Sequence, residues 1–169
     1  CACLVGSEMC IRDSSGAVPE CAAESDACGS EYMRMVRPLI LWMIGGLIYT
    51  LLEIVTRGRS HWTMFIVGGL CFYLIGLINE VIPWEMAFWK QCIIGSFVVT
   101  GIEFVSGCIV NLWLGWNVWD YSHLPLNLLG QICLPFSLLW VLVSGMAVIL
   151  DDYLRYWLFK EEKPHYRLF

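Results

Sequence analysis

The chain has 169 residues, of which 59% are hydrophobic and only 15% are charged. Soluble domains carry about 25% charged residues, so this composition excludes an ordinary soluble domain and indicates a membrane protein. The net charge is −5 and the basic residues form no continuous stripe, which argues against nucleic acid as a partner. At about 20 residues for each helix, the length allows about four to six membrane spans.

The first 32 residues differ from the rest of the chain, because they contain five of the nine cysteines and no apolar run long enough to span a membrane. Residues 4–14 resemble the translation of a transposase adaptor used to build sequencing libraries. We therefore interpret residues 1–14 as an assembly artefact and expect residues 1–32 to form a disordered tail. The alternative is a small disulfide or metal knuckle.

Four apolar segments follow the tail and predict a transmembrane domain over residues 33–160. The predicted spans cover about 38–55, 62–79, 91–114 and 126–150. Pro38 suits the first turn of span one, and Pro135 predicts a kink in span four. Asp151 and Asp152 are expected to cap a C-terminal interfacial helix, which would be followed by the polar tail 161–169. The predicted fold is an all-α, four-helix transmembrane bundle.

Residues 44–56 resemble residues 94–106, so that Glu53 aligns with Glu103 and Thr50 with Thr100. A weaker similarity relates residues 68–71 to residues 130–133. The two similarities predict a parallel 2+2 internal repeat, because an even number of spans in each unit keeps the copies parallel. Chance similarity between apolar segments is the alternative.

The basic residues predict the orientation of the chain in the membrane. With four spans, one side would hold seven basic residues and the other only Arg57 and Arg59. The seven are Arg34, Arg37, Lys90, Arg155, Lys160, Lys163 and Arg167. Cytoplasmic loops are enriched in Lys and Arg, so we expect both termini on the cytoplasmic side of a bacterial cytoplasmic membrane.

Glu53 and Glu103 are the first candidate site residues, since an ionisable group inside an apolar span is costly and usually functional. Each glutamate lies three residues after a threonine, Thr50 or Thr100, on the same helix face. Two carboxylates near a common axis would share a proton or bind a cation. The alternatives are an i,i+4 ion pair of Glu53 with Arg57, and a structural hydrogen bond between Glu103 and a serine or threonine on another helix.

A second group of polar residues lies around the predicted start of span four. Asp120, Asn127 and Gln131 are expected to line a substrate vestibule, with Asn127 and Gln131 four residues apart on one helix face. A hydrogen-bonded loop that closes the bundle is the alternative. His61 and His123 suggest a paired metal site only weakly, and we expect no metal.

The residues Trp119-Asp120-Tyr121-Ser122, Pro125, Asn127, Gly130–Leu134 and Phe136-Ser137-Leu138-x-Trp140 resemble a family of bacterial membrane proteins labelled "putative ABC-transporter type IV". Glu53-x-x-x-Arg57-Gly58 resembles the first half of that family, although the Gly-Pro and Pro-x-Tyr-Gly pattern that follows it there is missing here. The similarity covers residues 40–150. It implies a permease subunit that works with a separate ATPase.

Together these features predict an integral membrane protein that transports a small solute or ion. Its partners would be the lipid bilayer and either further copies of the chain or a separate ATPase subunit. The sequence contains no P-loop, nucleophile elbow or dinucleotide fingerprint, so we expect neither enzymatic activity nor a cofactor. The alternative function is membrane assembly or envelope sensing without transport.

Overall fold

The structure, a computed structural model, describes residues 20–81, 86–161 and 166, and it describes the side chains of residues 32–78, 86–161 and 166. The chain divides into two units, residues 1–35 and 36–169. Residues 1–19 of the expected disordered tail lie outside the described residues. The backbone of residues 20–32, in contrast to that expectation, is helical.

Four α-helices account for most of the described residues. They are α1 (Glu20–Arg57), α2 (Trp62–Val81), α3 (Phe88–Gly107) and α4 (Leu134–Phe159). A π-helical segment, Cys108–Trp113, extends α3. A two-stranded antiparallel hairpin, β1 (Asn127–Leu128) and β2 (Ile132–Cys133), precedes α4.

Three helical segments among the described residues are long and apolar enough to cross a membrane: Tyr32–Arg57, Phe88–Trp113 and Leu134–Phe159. The described apolar part of α2, Trp62–Ile78, is shorter. The expectation of an all-α membrane protein is therefore confirmed at this level. The 2+2 repeat stays a prediction, and its weaker half has no structural counterpart, since residues 68–71 lie within α2 whereas residues 130–133 belong to the hairpin.

Glycines allow the helices of the second unit to pack closely. A side chain at Gly45 of α1 would overlap Phe72 of α2, and one at Gly68 would overlap Tyr49. The pairs run in opposite directions, so α1 and α2 are antiparallel. Small residues let the backbones of membrane helices approach each other, which makes up for the lack of a hydrophobic driving force in lipid.

The start and end of α4 differ from the prediction. The helix begins at Leu134 rather than at residue 126, so Pro135 lies in its first turn, where a missing N–H costs no hydrogen bond. Its end is continuous through Phe159, and the separate interfacial helix is not seen. Pro38 likewise lies inside α1 instead of beginning it.

Asp151 and Asp152 are buried within α4 rather than capping a new helix. The Arg155 side chain donates a hydrogen bond from Nε to Asp151 Oδ2 at 2.6 Å. The Tyr166 hydroxyl donates to Asp152 Oδ2 at 2.8 Å. A side chain at Gly76 of α2 would overlap the Asp151 carboxylate. Local partners therefore allow these carboxylates to lie within the helix.

The end of the bundle where α1 and α3 finish and α2 and α4 begin is called the loop end here. It comprises residues 53–64 and 103–140. A buried cluster of Met64, Trp119, Tyr121 and Cys133 fills it. This cluster fixes the segment between α3 and α4 against the helices, and it brings that segment to the two glutamates that the sequence singles out.

Candidate functional site

Glu53 lies in the last turn of α1, and its side chain is only 7% exposed. Arg57, one helical turn later, donates from Nη1 to Glu53 Oε1 at 3.3 Å. Ser60 donates from its hydroxyl to Glu53 Oε2 at 2.6 Å. Both oxygens of the carboxylate therefore have a partner, and the i,i+4 ion pair considered from the sequence is present.

Glu103 lies in α3 and is 5% exposed. The Tyr121 hydroxyl donates to Glu103 Oε1 at 3.1 Å. The Trp140 indole donates from Nε1 to Glu103 Oε2 at 2.8 Å. Both of these hydrogen-bond donors are neutral groups. The partners are thus an aromatic loop residue and an aromatic helix residue, rather than the serine or threonine expected.

Tyr121 connects the two glutamates. Its hydroxyl accepts a hydrogen bond from Arg57 Nη2 at 3.2 Å while it donates to Glu103. A chain of hydrogen bonds therefore runs from Glu53 through Arg57 and Tyr121 to Glu103, and we call it the glutamate network. The two carboxylates are therefore connected through the side chains of Arg57 and Tyr121, and they do not share a proton directly.

The pKa of Tyr121 is raised, chiefly because burial disfavours the phenolate and further because the Glu103 carboxylate lies beside it. The hydroxyl thus keeps its proton throughout the physiological pH range. A neutral phenol can donate one hydrogen bond and accept another at the same oxygen, which is the role that the network requires.

Asn111 in the π-helical segment holds Tyr121 in place. Its amide donates to the Trp119 carbonyl oxygen at 2.9 Å and to Gln131 Oε1 at 2.8 Å. Its own oxygen accepts from the Val118 backbone N–H at 2.7 Å. Asn111 is only 6% exposed, so these bonds are made where water has little access. The π-helical geometry re-aims this residue at the loop, as π-bulges at functional sites often do.

Gln131 and Trp119 complete the support. Gln131 is 3% exposed and donates from Nε2 to the Leu129 carbonyl oxygen at 3.0 Å. Trp119 donates from Nε1 to the Gln131 carbonyl oxygen at 3.0 Å. Tyr121 also stacks on Phe136, with ring centroids 4.8 Å apart. The phenol is therefore fixed by packing as well as by hydrogen bonds.

Two cavities adjoin the glutamate network, one at Glu53 and Arg57 and the other at Glu103. A polar pocket of about 220 Å3 at the loop end is lined by Glu53, Arg57, Arg59 and the segment from Trp116 to Val118. A larger, mostly apolar cavity of about 420 Å3 lies between the helices and is lined by Glu103 and Trp140. The network thus connects a polar pocket to an apolar interior.

The remaining predicted site residues lie outside the glutamate network. Thr50 Oγ1 is buried and has no hydrogen-bond partner among the described residues. Thr100 donates to Ser137 Oγ at 3.4 Å, a contact between α3 and α4.

Asp120 and Asn127 are exposed, and both stabilise turns. Asp120 accepts from the Ser122 backbone N–H at 2.8 Å and from the Ser122 hydroxyl at 2.9 Å, which together lower its pKa. Asn127 donates to the Leu124 carbonyl oxygen at 2.8 Å. Asn127 and Gln131 do not share a helix face, because the hairpin exposes the first and buries the second. The arrangement of these three residues fits the loop-closing alternative.

The sequence interpretation missed Asn111, and it did not assign roles to Tyr121, Trp140 or Ser60. Tyr121 and Trp140 belong to the motif on which the family resemblance rests, so that motif carried a usable signal. Asn111 stands as an isolated amide near the end of an apolar span, and a polar residue in such a place merits the same attention as a glutamate. No signal in the sequence distinguishes Ser60.

The described residues contain no group of three or more His, Cys, Asp or Glu side chains placed to hold a metal ion. Comparison with known proteins finds no curated protein and no solved structure that matches the chain. A family model described as "Putative ABC-transporter type IV" matches residues 32–161, a range that includes every member of the glutamate network. On the strength of this match over most of its length, the chain belongs to the family of "Putative ABC-transporter type IV" membrane proteins.

Proposed function

We propose that this chain is a transport component for a small solute or ion, and that the glutamate network is the polar part of its path. The observation that carries the proposal is the unbroken hydrogen-bond chain from Glu53 to Glu103. It connects the polar pocket at the loop end to the apolar cavity between the helices.

Glu103 is an ionisable residue within an apolar helix, and such residues are usually functional. A charged residue at the centre of a membrane helix costs about 2.5–3.5 kcal/mol on insertion scales. Its two hydrogen bonds from neutral donors offset a cost of this size, at about 1.5–3 kcal/mol for each bond to a charged group. The donors of Tyr121 and Trp140 bind different oxygens of Glu103, and a glutamine has only one acceptor oxygen, because its amide nitrogen is a donor; the two donors therefore favour a carboxylate at this position.

The proposed orientation places both termini in the cytoplasm and the polar pocket at the outer face of a bacterial cytoplasmic membrane. The excess of Lys and Arg on the side of the termini supports this assignment. Membership of the family supports assembly with a separate ATPase or with further copies of the chain. Under this proposal Glu103 is the coupling carboxylate and Glu53 receives the solute or ion from outside.

The test uses the full chain reconstituted in liposomes that contain a pH-sensitive dye, with proton, radiolabelled rubidium and radiolabelled chloride fluxes measured in parallel. The wild-type protein should raise at least one flux above that of protein-free liposomes. Glu103→Gln should abolish that flux, whereas Glu161→Gln, the same change at an ion pair with Arg37, should retain it. Wild-type liposomes as tight as protein-free ones would contradict transport by this chain.

The second candidate function, assembly or envelope sensing, is favoured by one observation. The hairpin presents Leu126, Leu128 and Leu129 to its surroundings, with exposed fractions of 75%, 52% and 62%. Such a tip can contact a partner protein or the membrane interface. In that case Glu103→Gln would leave function intact, whereas replacing the three leucines by serine would abolish it.

A further inference from the structure

The apolar cavity adjoins one carboxylate and several aromatic rings. It is open between the helices, with a volume of about 420 Å3, within the range of about 300–1,000 Å3 that is usual for small-ligand pockets. Its aromatic lining comprises Tyr49, Phe72, Trp119 and Trp140. Tyr49 and Trp140 stack with ring centroids 6.3 Å apart. Glu103 is the one acidic side chain among the residues that line it.

The charges around this cavity do not balance within the described residues. The glutamate network contains two carboxylates but one guanidinium, that of Arg57, and Arg57 contacts Glu53 directly. Glu103 receives hydrogen bonds from a phenol and an indole, both neutral. A buried carboxyl group either takes up a proton or pairs with a counter-charge, and a cationic ligand in the cavity would supply that counter-charge.

The lining of the cavity favours an organic cation over a metal ion or an anion. A small metal ion requires several oxygen ligands, whereas Glu103 is the only carboxylate in the lining. An anion would be repelled by Glu103. Aromatic faces attract quaternary and alkylated ammonium groups, and apolar walls accept the carbon substituents of such a cation.

We propose that the apolar cavity binds a small lipophilic organic cation, with its ammonium group at Glu103 among the rings of Tyr49, Trp119 and Trp140. This inference rests on the proposed function, since it names the class of solute for the same site. The polar pocket at Glu53 would be the aqueous side of the path. Glu103 would exchange its hydrogen-bonded environment for direct contact with the ligand.

The experiment is equilibrium dialysis of the full chain in lipid nanodiscs, with benzyltrimethylammonium as the probe. Its neutral carbon isostere, neopentylbenzene, is the matched ligand, and protein-free nanodiscs measure partition into lipid. The wild-type protein should bind the cation at least about tenfold more tightly than the isostere, a difference of about 1.4 kcal/mol. Equal binding of the two ligands would overturn the proposal and indicate an occupant such as a lipid acyl chain.

Three variants locate the site. Glu103→Gln should abolish the preference for the cation while retaining affinity for the isostere, and Glu161→Gln should keep the preference. A preference that survives Glu103→Gln would overturn the proposal. If Glu103→Gln binds neither ligand, the deciding variant is Ala147→Leu, which fills the cavity and leaves every charged residue unchanged. Loss of cation binding in this variant would support the cavity as the site, and retention of cation binding would overturn the proposal.

The dialysis result and the flux result separate this inference from the proposed function. Selective binding of the cation, with no uptake of radiolabelled benzyltrimethylammonium and no flux of protons, rubidium or chloride in the liposomes, would contradict transport and leave the cavity assignment standing. Flux of protons, rubidium or chloride without any preference for the cation would support transport and overturn the cavity assignment.

Discussion

Replacing Asn111 by alanine is expected to destabilise the folded protein by about 3 kcal/mol. The change removes three hydrogen bonds and leaves two carbonyl-type oxygens and one backbone N–H without partners. Each buried polar group left without a partner costs about 1–3 kcal/mol. The low end of that range applies here, because water can enter the space of the missing amide.

Asn127 provides the matched control for this substitution. It also makes three side-chain hydrogen bonds in the same loop region, two to carbonyl oxygens and one from a backbone N–H. Its side chain is exposed, so water can replace it at those groups. Asn127→Ala should therefore cost about 1 kcal/mol or less.

The assay is denaturant titration of each variant in mixed micelles, followed by tryptophan fluorescence, which reports the average burial of the nine tryptophans. Asn111→Ala should shift the midpoint to lower denaturant about three times as far as Asn127→Ala. Equal shifts for the two variants would refute the reasoning, because burial would then not determine the cost. A loss in the free energy of unfolding of under about 0.5 kcal/mol for Asn111→Ala would refute the reasoning as well.

Three further predictions concern packing, hydrogen bonding and pH. Gly95→Ala should lower the free energy of unfolding by about 1–3 kcal/mol in the same titration, because its methyl group would lie 2.8 Å from a serine Cβ on α4. Gly101→Ala, whose methyl group would have nothing within 4 Å, should leave that free energy unchanged or raise it by up to about 1 kcal/mol. Tyr121→Phe removes the hydroxyl that connects the two halves of the glutamate network, and it should lower the free energy of unfolding by about 1–3 kcal/mol. It should also shift the Glu103 carboxyl band in infrared difference spectra against the wild-type protein, and an unchanged band would contradict the contact. Asp120 has a lowered pKa in the folded state, so its contribution to loop stability is present above its unfolded pKa of about 3.9 and is lost as pH falls through the folded value. The melting temperatures of wild-type protein and Asp120→Asn should therefore converge in acid, and a constant difference at all pH values would count against this assignment.

Hydropathy and helical spacing predict the parts of this structure that depend on local sequence. The apolar runs identify the helices, and the spacing of Glu53 and Arg57 predicts their ion pair, because residues four apart in a helix are neighbours. The cost of a charge in an apolar span singles out Glu103. Each of these inferences needs only one segment of the chain.

The hairpin could not be predicted in the same way. Leu126 and Leu129 look like part of span four by composition, but both adopt a positive φ, of 52° and 53°, which an apolar residue rarely does. The contact between Arg57 and Tyr121 joins residues 64 positions apart, and nothing local determines it. Asp151 is predicted as a helix cap because its close approach to Gly76 of α2 is not visible in the sequence, although its partner Arg155 lies only four residues later in α4.

The way in which Glu103 is satisfied has a consequence for the order of assembly. Its two partners, Tyr121 and Trp140, follow it in the chain by 18 and 37 residues, so neither has been synthesised when α3 is complete. The carboxylate must therefore wait for the hairpin and the first turns of α4 before its hydrogen bonds can form. A chain truncated before residue 134 would lack one of these bonds permanently.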